Sequence, residues 1–595
     1  MFPHFFQSRA KLEARRSFLK LATASAAAPI LLTSRKSGAA DPPVIPPSPP
    51  TTPWIEYLPN QITPLQPIAT LYPPWTVTAN TAGGECGRAA HQRFAELTAP
   101  EVSGTPELYY LFAKENPNWV FNPAYPAQPI WGYAGTPWDE ASTPGPTVFG
   151  HYGHSVICRI YNELPEKHVG FGTPEIGTHL HNLHTPSESD GYPGDFYSVS
   201  KAGPTLSAPG QFKDHFYPNI YAGIDSFGGI GDSREALGTL WYHDHTMDFT
   251  APNVYRGLAG FYLMFDQLDS GNEQPDPANP AALRLPSHPY DYPIILQDKR
   301  FDATGMLFYD QFNPEGILGD KITVNGKIEP VLRVARRKYR LRFLNGGPSR
   351  FYELYLQNKN ANTLYTFTYI ANDGNLLPKP LLNQFKVRLG VAERADIVVD
   401  FSKFPLGTEL YFVNQLLQTS TRGPDNVKAP GTRLLKVIVD RNVPASEPDV
   451  SRVPNALRPL PDIPTDFTGV PVRRWVFARS GGMWTVNDQL FNVNQASATI
   501  TKGSAEIWEL VNPENGWEHP IHIHFEEGRI IDKIVNGISV PIPVHERGRK
   551  DVFVLGKNTT FRVFLRFRDF TGKYPMHCHN LIHEDHAMMV RWDIV

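Results

Sequence analysis

Along most of this chain, short apolar runs alternate with polar positions and are separated by turn-forming residues. Alternation of this kind predicts strands with one buried face, because successive side chains on a strand point to opposite sides. Leu332, Val334, Tyr339, Leu341 and Phe343 form one such run, interleaved with the basic residues from Arg333 to Arg342. That reading makes the basic run the solvated side and turn of a strand. Proline, at 57 residues, favours many strands over long helices.

A larger pattern recurs three times. Thr147-Val148-Phe149-Gly150 precedes a strand ending at Asn162, Thr323-Val324-Asn325-Gly326 one ending at Asn345, and Thr485-Val486-Asn487-Asp488 one ending at Asn512. The tetrads read as turns, and three copies of one β unit predict three similar β-sandwich domains. A chain of 595 residues is also too long for one core. The Pro-rich stretches from Ser270 to Pro286 and from Val443 to Pro464 read as linkers, which gives domains over 41–268, 269–442 and 443–595.

The candidate chemistry lies on such alternating segments. His179-Leu180-His181, His243-Asp244-His245, His522-Ile523-His524 and His577-Cys578-His579 each place two imidazoles on one face of a strand. Cys578 then faces the other way. With His519, His583 and a weak axial Met588 it completes the His₂Cys recipe of a blue-copper electron-transfer centre. The eight paired histidines remain for a multinuclear site on the opposite face. One His-x-His is a weak signal; four, with a cysteine inside one of them, are specific.

These motifs resemble those of the multicopper oxidases, and within them the bilirubin oxidases and bacterial spore-coat laccases. The resemblance extends from the histidine pairs to Thr185-Pro186, Ser189-Asp190-Gly191, Asn253-Val254-Tyr255-Arg256-Gly257-Leu258 and Asn515-Gly516-Trp517-Glu518-His519-Pro520, and covers most of the chain after about residue 55. It implies an all-β chain of three cupredoxin-like Greek-key domains. It also implies four coppers per chain: one type 1, one type 2 and two type 3. His179 and His522 would hold type 2. His181, His243 and His579 would hold one type 3 copper, and His245, His524 and His577 the other. A cluster with ligands split between the first and third domains must sit at their interface, and the second domain then reads as a spacer with little copper chemistry of its own. Asp190 and Glu584 fall where related laccases place acidic proton-relay residues, although Asp190 could instead merely cap its own turn. Asp244 could orient a ligand imidazole or point away.

Other features add less. The formal net charge of −3 with 19% charged residues argues against a nucleic-acid partner. The expected partners are a small-molecule electron donor and O₂, and the expected assembly is a monomer. Arg15-Arg16-Ser17-Phe18-Leu19-Lys20 resembles a twin-arginine export signal spanning 1–40, with cleavage before Asp41 and a periplasmic or extracellular destination. No other stretch reads as a membrane span. Cys86 and Cys158 could pair in an oxidising compartment, and the sequence leaves that open. His184 and His586 have no vacant ligand role; His151, His154, His168, His215, His288 and His545 lack ligand spacing. Glu526-Glu527 reads as a solvated strand end. Rival functions are a metallo-oxidase acting on Mn(II) or Cu(I), a copper-free scaffold and a plain cupredoxin carrier. Eight methionines without a Met-rich insert count against the cuprous oxidase, and intact ligand motifs against the last two.

Overall fold

A computed structural model describes residues 46–595 apart from 81, 82 and 103; the predicted export leader, 1–40, lies outside the described residues. Residues 47–595 form one compact unit. Its strands fall into six sheets, two each from the stretches 107–265, 291–441 and 472–594. An apolar core fills the space within each pair.

The three pairs repeat one topology. Glu107–Trp119 runs parallel to Val156–Glu163, Asp291–Phe301 to Lys338–Asn345, and Val472–Ser480 to Ala505–Asn512. In the companion sheets Gly145–His151 runs parallel to Ala259–Phe265, Val331–Ala335 to Val427–Arg441, and Ala498–Ile500 to Met589–Ile594. The three asparagines found by the sequence pattern are equivalent. Asn162, Asn345 and Asn512 each accept from the backbone N–H two residues on, at 3.1, 3.1 and 3.0 Å. Each also donates its amide to carbonyls of a neighbouring loop. Each thereby closes a turn that a hydrophobic residue could not satisfy.

Two of the three tetrads are turns: Asn325 and Gly326, and Asn487 and Asp488, all have left-handed φ. The first is not. Phe149 and Gly150 continue the strand Gly145–His151 and pair with Leu263 and Met264. Phe149 lacks the short polar side chain that makes the left-handed region accessible.

The linker stretches are packed straps. Leu283, Leu285 and Leu457 are buried against Ile370 and Leu376 of the middle stretch. The third core also continues into Leu71, Leu97, Ile157 and Phe216 of the first stretch.

The basic run departs most from expectation. Arg333 is exposed, but Arg337, Arg340 and Arg342 are buried. Arg340 pairs with Asp269 and Asp396 at 2.8 and 2.6 Å, and Arg342 with Asp291 at 2.7 Å. Thr239 of the first stretch donates to Asp396 at 2.8 Å, tying the first stretch to the middle one. Alternation correctly located the strand; carboxylates distant in sequence made its second face a buried ionic layer. Glu526 and Glu527 are likewise not a solvated end: Glu526 is 2% exposed and pairs with Arg568 at 2.8 Å, and Glu527 pairs with Arg549.

Glu235 holds the first and third stretches together. It receives Arg568 at 2.7 Å, Arg566 at 2.6 Å and Arg549 at 3.3 Å. Burial alone would raise this carboxyl, but Arg549, Arg568 and Arg566 outweigh it and hold it below its ordinary value of 4.5. The resulting stabilisation is fully present above that pH and is lost as pH falls through the depressed folded value. Glu235→Gln should lower the unfolding free energy at neutral pH by roughly 3–5 kcal/mol, because three guanidinium groups lose their shared partner, and should flatten the acid limb of stability. Denaturant titrations of both proteins at neutral and acid pH check this; coincident curves would refute it.

Candidate metal centre

Five strands and three short helices build the site. The strands are β1 (Thr178–His181), β2 (Thr239–Asp244), β3 (His519–Ile523), β4 (Gly572–Cys578) and β5 (Met589–Ile594). The helices are α1 (Ser187–Asp190), α2 (Thr250–Arg256) and α3 (Leu581–Asp585). On β3 and β4, His522 lies opposite His577 and Ile521 opposite Cys578. Cross-strand partners share a face, so both strands present one histidine set to one side, and Cys578 with His519 to the other.

On that second side the ligand atoms converge. Cys578 Sγ lies 3.6 Å from both His519 Nδ1 and His583 Nδ1, and the two nitrogens are 3.3 Å apart. His583 Nε2 donates to the Glu315 carbonyl at 3.2 Å, which leaves Nδ1 with its lone pair toward the sulfur. Met588 is fully buried, accepts from the Cys578 N–H at 3.0 Å and donates to the His583 carbonyl at 2.9 Å. Met589 pairs with His577 and so occupies the opposite face.

The eight paired histidines converge on the first side, all at most 1% exposed. The Nε2 atoms of His245, His524 and His577 lie 3.2–3.3 Å from one another. His179 Nε2 and His522 Nε2 are 3.4 Å apart. His181 and His243 group with His179, while the His579 ring lies 5.3 and 5.5 Å from His181 and His243.

The outer nitrogens are tied back. His179 Nδ1 donates to the Asp190 carbonyl, His243 Nδ1 to the Asp244 carbonyl at 2.8 Å, and His524 Nδ1 to Asp190 Oδ2 at 2.8 Å. Glu584 Oε1 and Oε2 stand 3.3 and 3.1 Å from Nδ1 of His245 and His577, at ion-pair range though not in hydrogen-bond alignment. Asp190 therefore faces the histidines and is no mere turn cap. Gly191, at φ 91°, permits its approach: a Cβ there would lie 2.4 Å from His179 Cα. Burial raises the carboxyls of Asp190 and Glu584 above their ordinary values. Asp244 points away, accepting from Gly177, Thr246 and Asn253, and burial raises it to about 7. His184 stacks on Phe525 and pairs with Asp569 at 2.7 Å, and His586 is exposed. Cys86 and Cys158 are buried free thiols, not a disulfide.

Sequence reasoning missed Asp551, which is 1% exposed. Its Oδ2 accepts from His181 Nε2 at 2.6 Å and lies 3.2 Å from His522 Nδ1. Burial would raise this carboxyl, but Arg394 outweighs it and holds it low. Arg394 belongs to the middle stretch, as does Glu315 against His583. That stretch supplies no histidine to either group, yet it is more than a spacer. Neither residue carries a motif, so no local signal could have revealed them.

The donors fit copper. Burial pushes the Cys578 thiol up and the imidazoles of His179, His181, His245, His524, His577 and His579 down, with His243 at about 3. Neutral imidazoles are ready ligands, and a coordinated thiol is deprotonated by the ion itself. Buried ring nitrogens His181 Nδ1, His243 Nε2 and His579 Nε2 have no hydrogen-bond partner among the described residues. They belong to the three residues that the resemblance groups on one type 3 copper.

Comparisons with known proteins agree. A family model described as multicopper oxidase matches residues 464–595. Bilirubin oxidase of Albifimbria verrucaria is 34% identical over 461 residues, covering 76% of this chain and 72% of the relative. Laccase of Bacillus stratosphericus is 31% identical over 561 residues, covering 84% and 98%. A solved laccase from Pediococcus acidilactici superposes with TM-score 0.64 at 24% identity, over 91% of this chain and 96% of that one. A multicopper oxidase from Campylobacter jejuni, titled a metallo-oxidase, gives 0.61 at 18%, over 91% and 99%. The structural likenesses bear out the all-β, cupredoxin-like architecture.

The opposite facing of the two methionines gives a direct test. If Met588 serves the blue centre that the sequence resemblance implies, Met588→Leu in copper-loaded protein should raise that centre's reduction potential, because a thioether ligand donates weakly to the cupric ion. Met589→Leu should leave it unchanged. Redox titration of the blue absorption distinguishes them, and a shift confined to the Met589 variant would move the axial role by one residue.

Proposed function

Because the chain belongs to the multicopper oxidases, oxidoreductases that use O₂, we propose that it is laccase-like, taking single electrons from phenolic, aromatic-amine or bilin-like donors and reducing O₂ to water. The observation that carries this reading is Cys578 between His577 and His579: one strand joins a His₂Cys group to an eight-histidine group with no intervening residue. Bound copper would supply the one-electron steps and the delivery of four electrons, with four protons, to O₂. His519, Cys578 and His583 would hold type 1, with Met588 as a weak further ligand. His179 and His522 would hold type 2, with type 3 on His181, His243 and His579 and on His245, His524 and His577.

The residues outside the ligand set divide the remaining work. Trp484 stacks on His583 at 3.7 Å, Arg479 lies 4.8 Å over Trp484, and Arg422, which is exposed, lies 5.1 Å over Trp517. Trp484 and Trp517 are buried, so they form an aromatic wall behind Arg479 and Arg422, and an organic donor would approach the Cys578 side past these two arginines, away from the histidine group. Asp190, whose Oδ2 accepts from His524 Nδ1, and Glu584, between His245 and His577, would pass protons inward. Burial raises both carboxyls, which favours the protonated form that a relay draws on. Names of relatives, bilirubin oxidase and laccase, point to the same donor classes. The twin-arginine pattern extends the proposal to export of the chain.

Steady-state O₂ consumption by copper-loaded protein with phenols, bilirubin, Mn(II) and Cu(I) tests the reading. Turnover with organic donors is expected; turnover with the metal ions alone would replace it with a metallo-oxidase. Copper analysis separates the scaffold and carrier alternatives. Cys578→Ser should abolish the blue colour and donor oxidation while the histidine group keeps its copper; a blue, active variant would sink the assignment. Asp190→Asn and Glu584→Gln should leave anaerobic reduction by a phenol intact and slow reoxidation by an O₂ pulse roughly 100-fold, the lower range for a lost proton-transfer group. Unchanged reoxidation in both would remove the relay.

A further inference from the structure

We propose that Arg394 is the positioning residue of the histidine cluster: by clamping Asp551 it orients His181 and His522, one from each of the two stretches that supply the ligands. The proposal rests on the copper reading above and goes beyond it, because the middle stretch bears no ligand.

Arg394 is fully buried, and all its guanidinium donors are used. Nε donates to the Thr239 carbonyl at 3.3 Å, in the first stretch. Nη1 donates to the Ala392 carbonyl and to Asp551 Oδ2, both at 3.0 Å. Nη2 donates to the Asp373 carbonyl at 3.0 Å and to Asp551 Oδ1 at 2.8 Å. One side chain thus touches all three stretches. Asp551 is gripped by a two-pronged fork, a geometry that lysine cannot reproduce. Lys550, paired with Asp373 and Glu393 at 3.0 Å each, locks the far side.

The carboxylate so fixed meets two imidazoles stacked 3.7 Å apart. His181 is the ring that needs this most. It must turn Nδ1 to the cluster, whereas His179, His245, His522, His524 and His577 turn Nε2 inward. A ring flip would bury the wrong nitrogen. The bond from His181 Nε2 to the Asp551 carboxylate selects both tautomer and orientation, and placing Asp551 also orients His522, whose Nδ1 donates to the Asp551 carbonyl at 3.2 Å with Oδ2 at ion-pair range.

The test compares wild type with Asp551→Asn, Arg394→Lys and the charge-neutral pair Arg394→Met/Asp551→Leu. Readouts are copper per chain, the type 2 electron paramagnetic resonance signal and, as internal control, the blue band. The single variants are expected to keep the blue copper, to lose at least one cluster copper per chain and to lose or shift the type 2 signal. Removing both charges leaves no unpaired buried ion, so the double variant should fold; it should remain deficient in cluster copper. Full cluster copper with an unchanged type 2 signal, in Asp551→Asn or in the double variant, would overturn the proposal and leave a purely structural ion pair. A copper-loaded wild type without a blue band would instead overturn the copper reading, and the clamp with it.

Discussion

Buried imidazoles must point their lone pairs at one another, and everything else in this molecule serves that constraint. A buried polar atom without a partner costs on the order of 1–3 kcal/mol, and a cluster of neutral histidines accumulates such costs at its centre. The chain limits them by tying outer nitrogens to the carboxylates of Asp190 and Asp551 and to the carbonyls of Asp190 and Asp244. Those ties also decide which ring nitrogen faces inward. A bound cation would satisfy what remains, so the arrangement is preorganised for one.

Strand geometry lets one segment serve two centres. The period of two sends His577 and Cys578 to opposite faces of β4, and β3 does the same with His522 and His519. Under the proposed function, organic donor and O₂ would be handled on separate faces by groups one residue apart along the backbone. The histidines come from the first and third copies of a repeated β unit, so the cluster exists only where those copies meet. Their interface is held by a shared core and by Glu235 with its three arginines.

The middle copy supplies no histidine to the cluster but contacts its supports. It brings Arg340 and Arg342 to carboxylates of its own and of the connecting strap, Glu315 to His583, and Arg394 to Asp551. Such buried pairs add little stability over hydrophobic packing, but breaking one is costly, so they demand a single arrangement. In this fold that arrangement is the relative placement of the ligand-bearing strands.

By itself the sequence determined the β class, the threefold repeat and every histidine and cysteine that the structure gathers. Each of these rests on local rules: alternation, turn residues, and ligands spaced two apart on a strand. Even the separation of Met588 from Met589 follows from alternation. Tertiary structure alone decided the rest. It chose which ring nitrogen of His181 faces inward, turned Asp244 away and Asp190 inward, and buried Glu526 and the arginines that the pattern left solvated. It also recruited Asp551 and Arg394. These outcomes depend on charges and carbonyls brought together by the fold, Asp551 lying more than one hundred residues from both His181 and Arg394, and no local period records which partner will satisfy a buried polar atom.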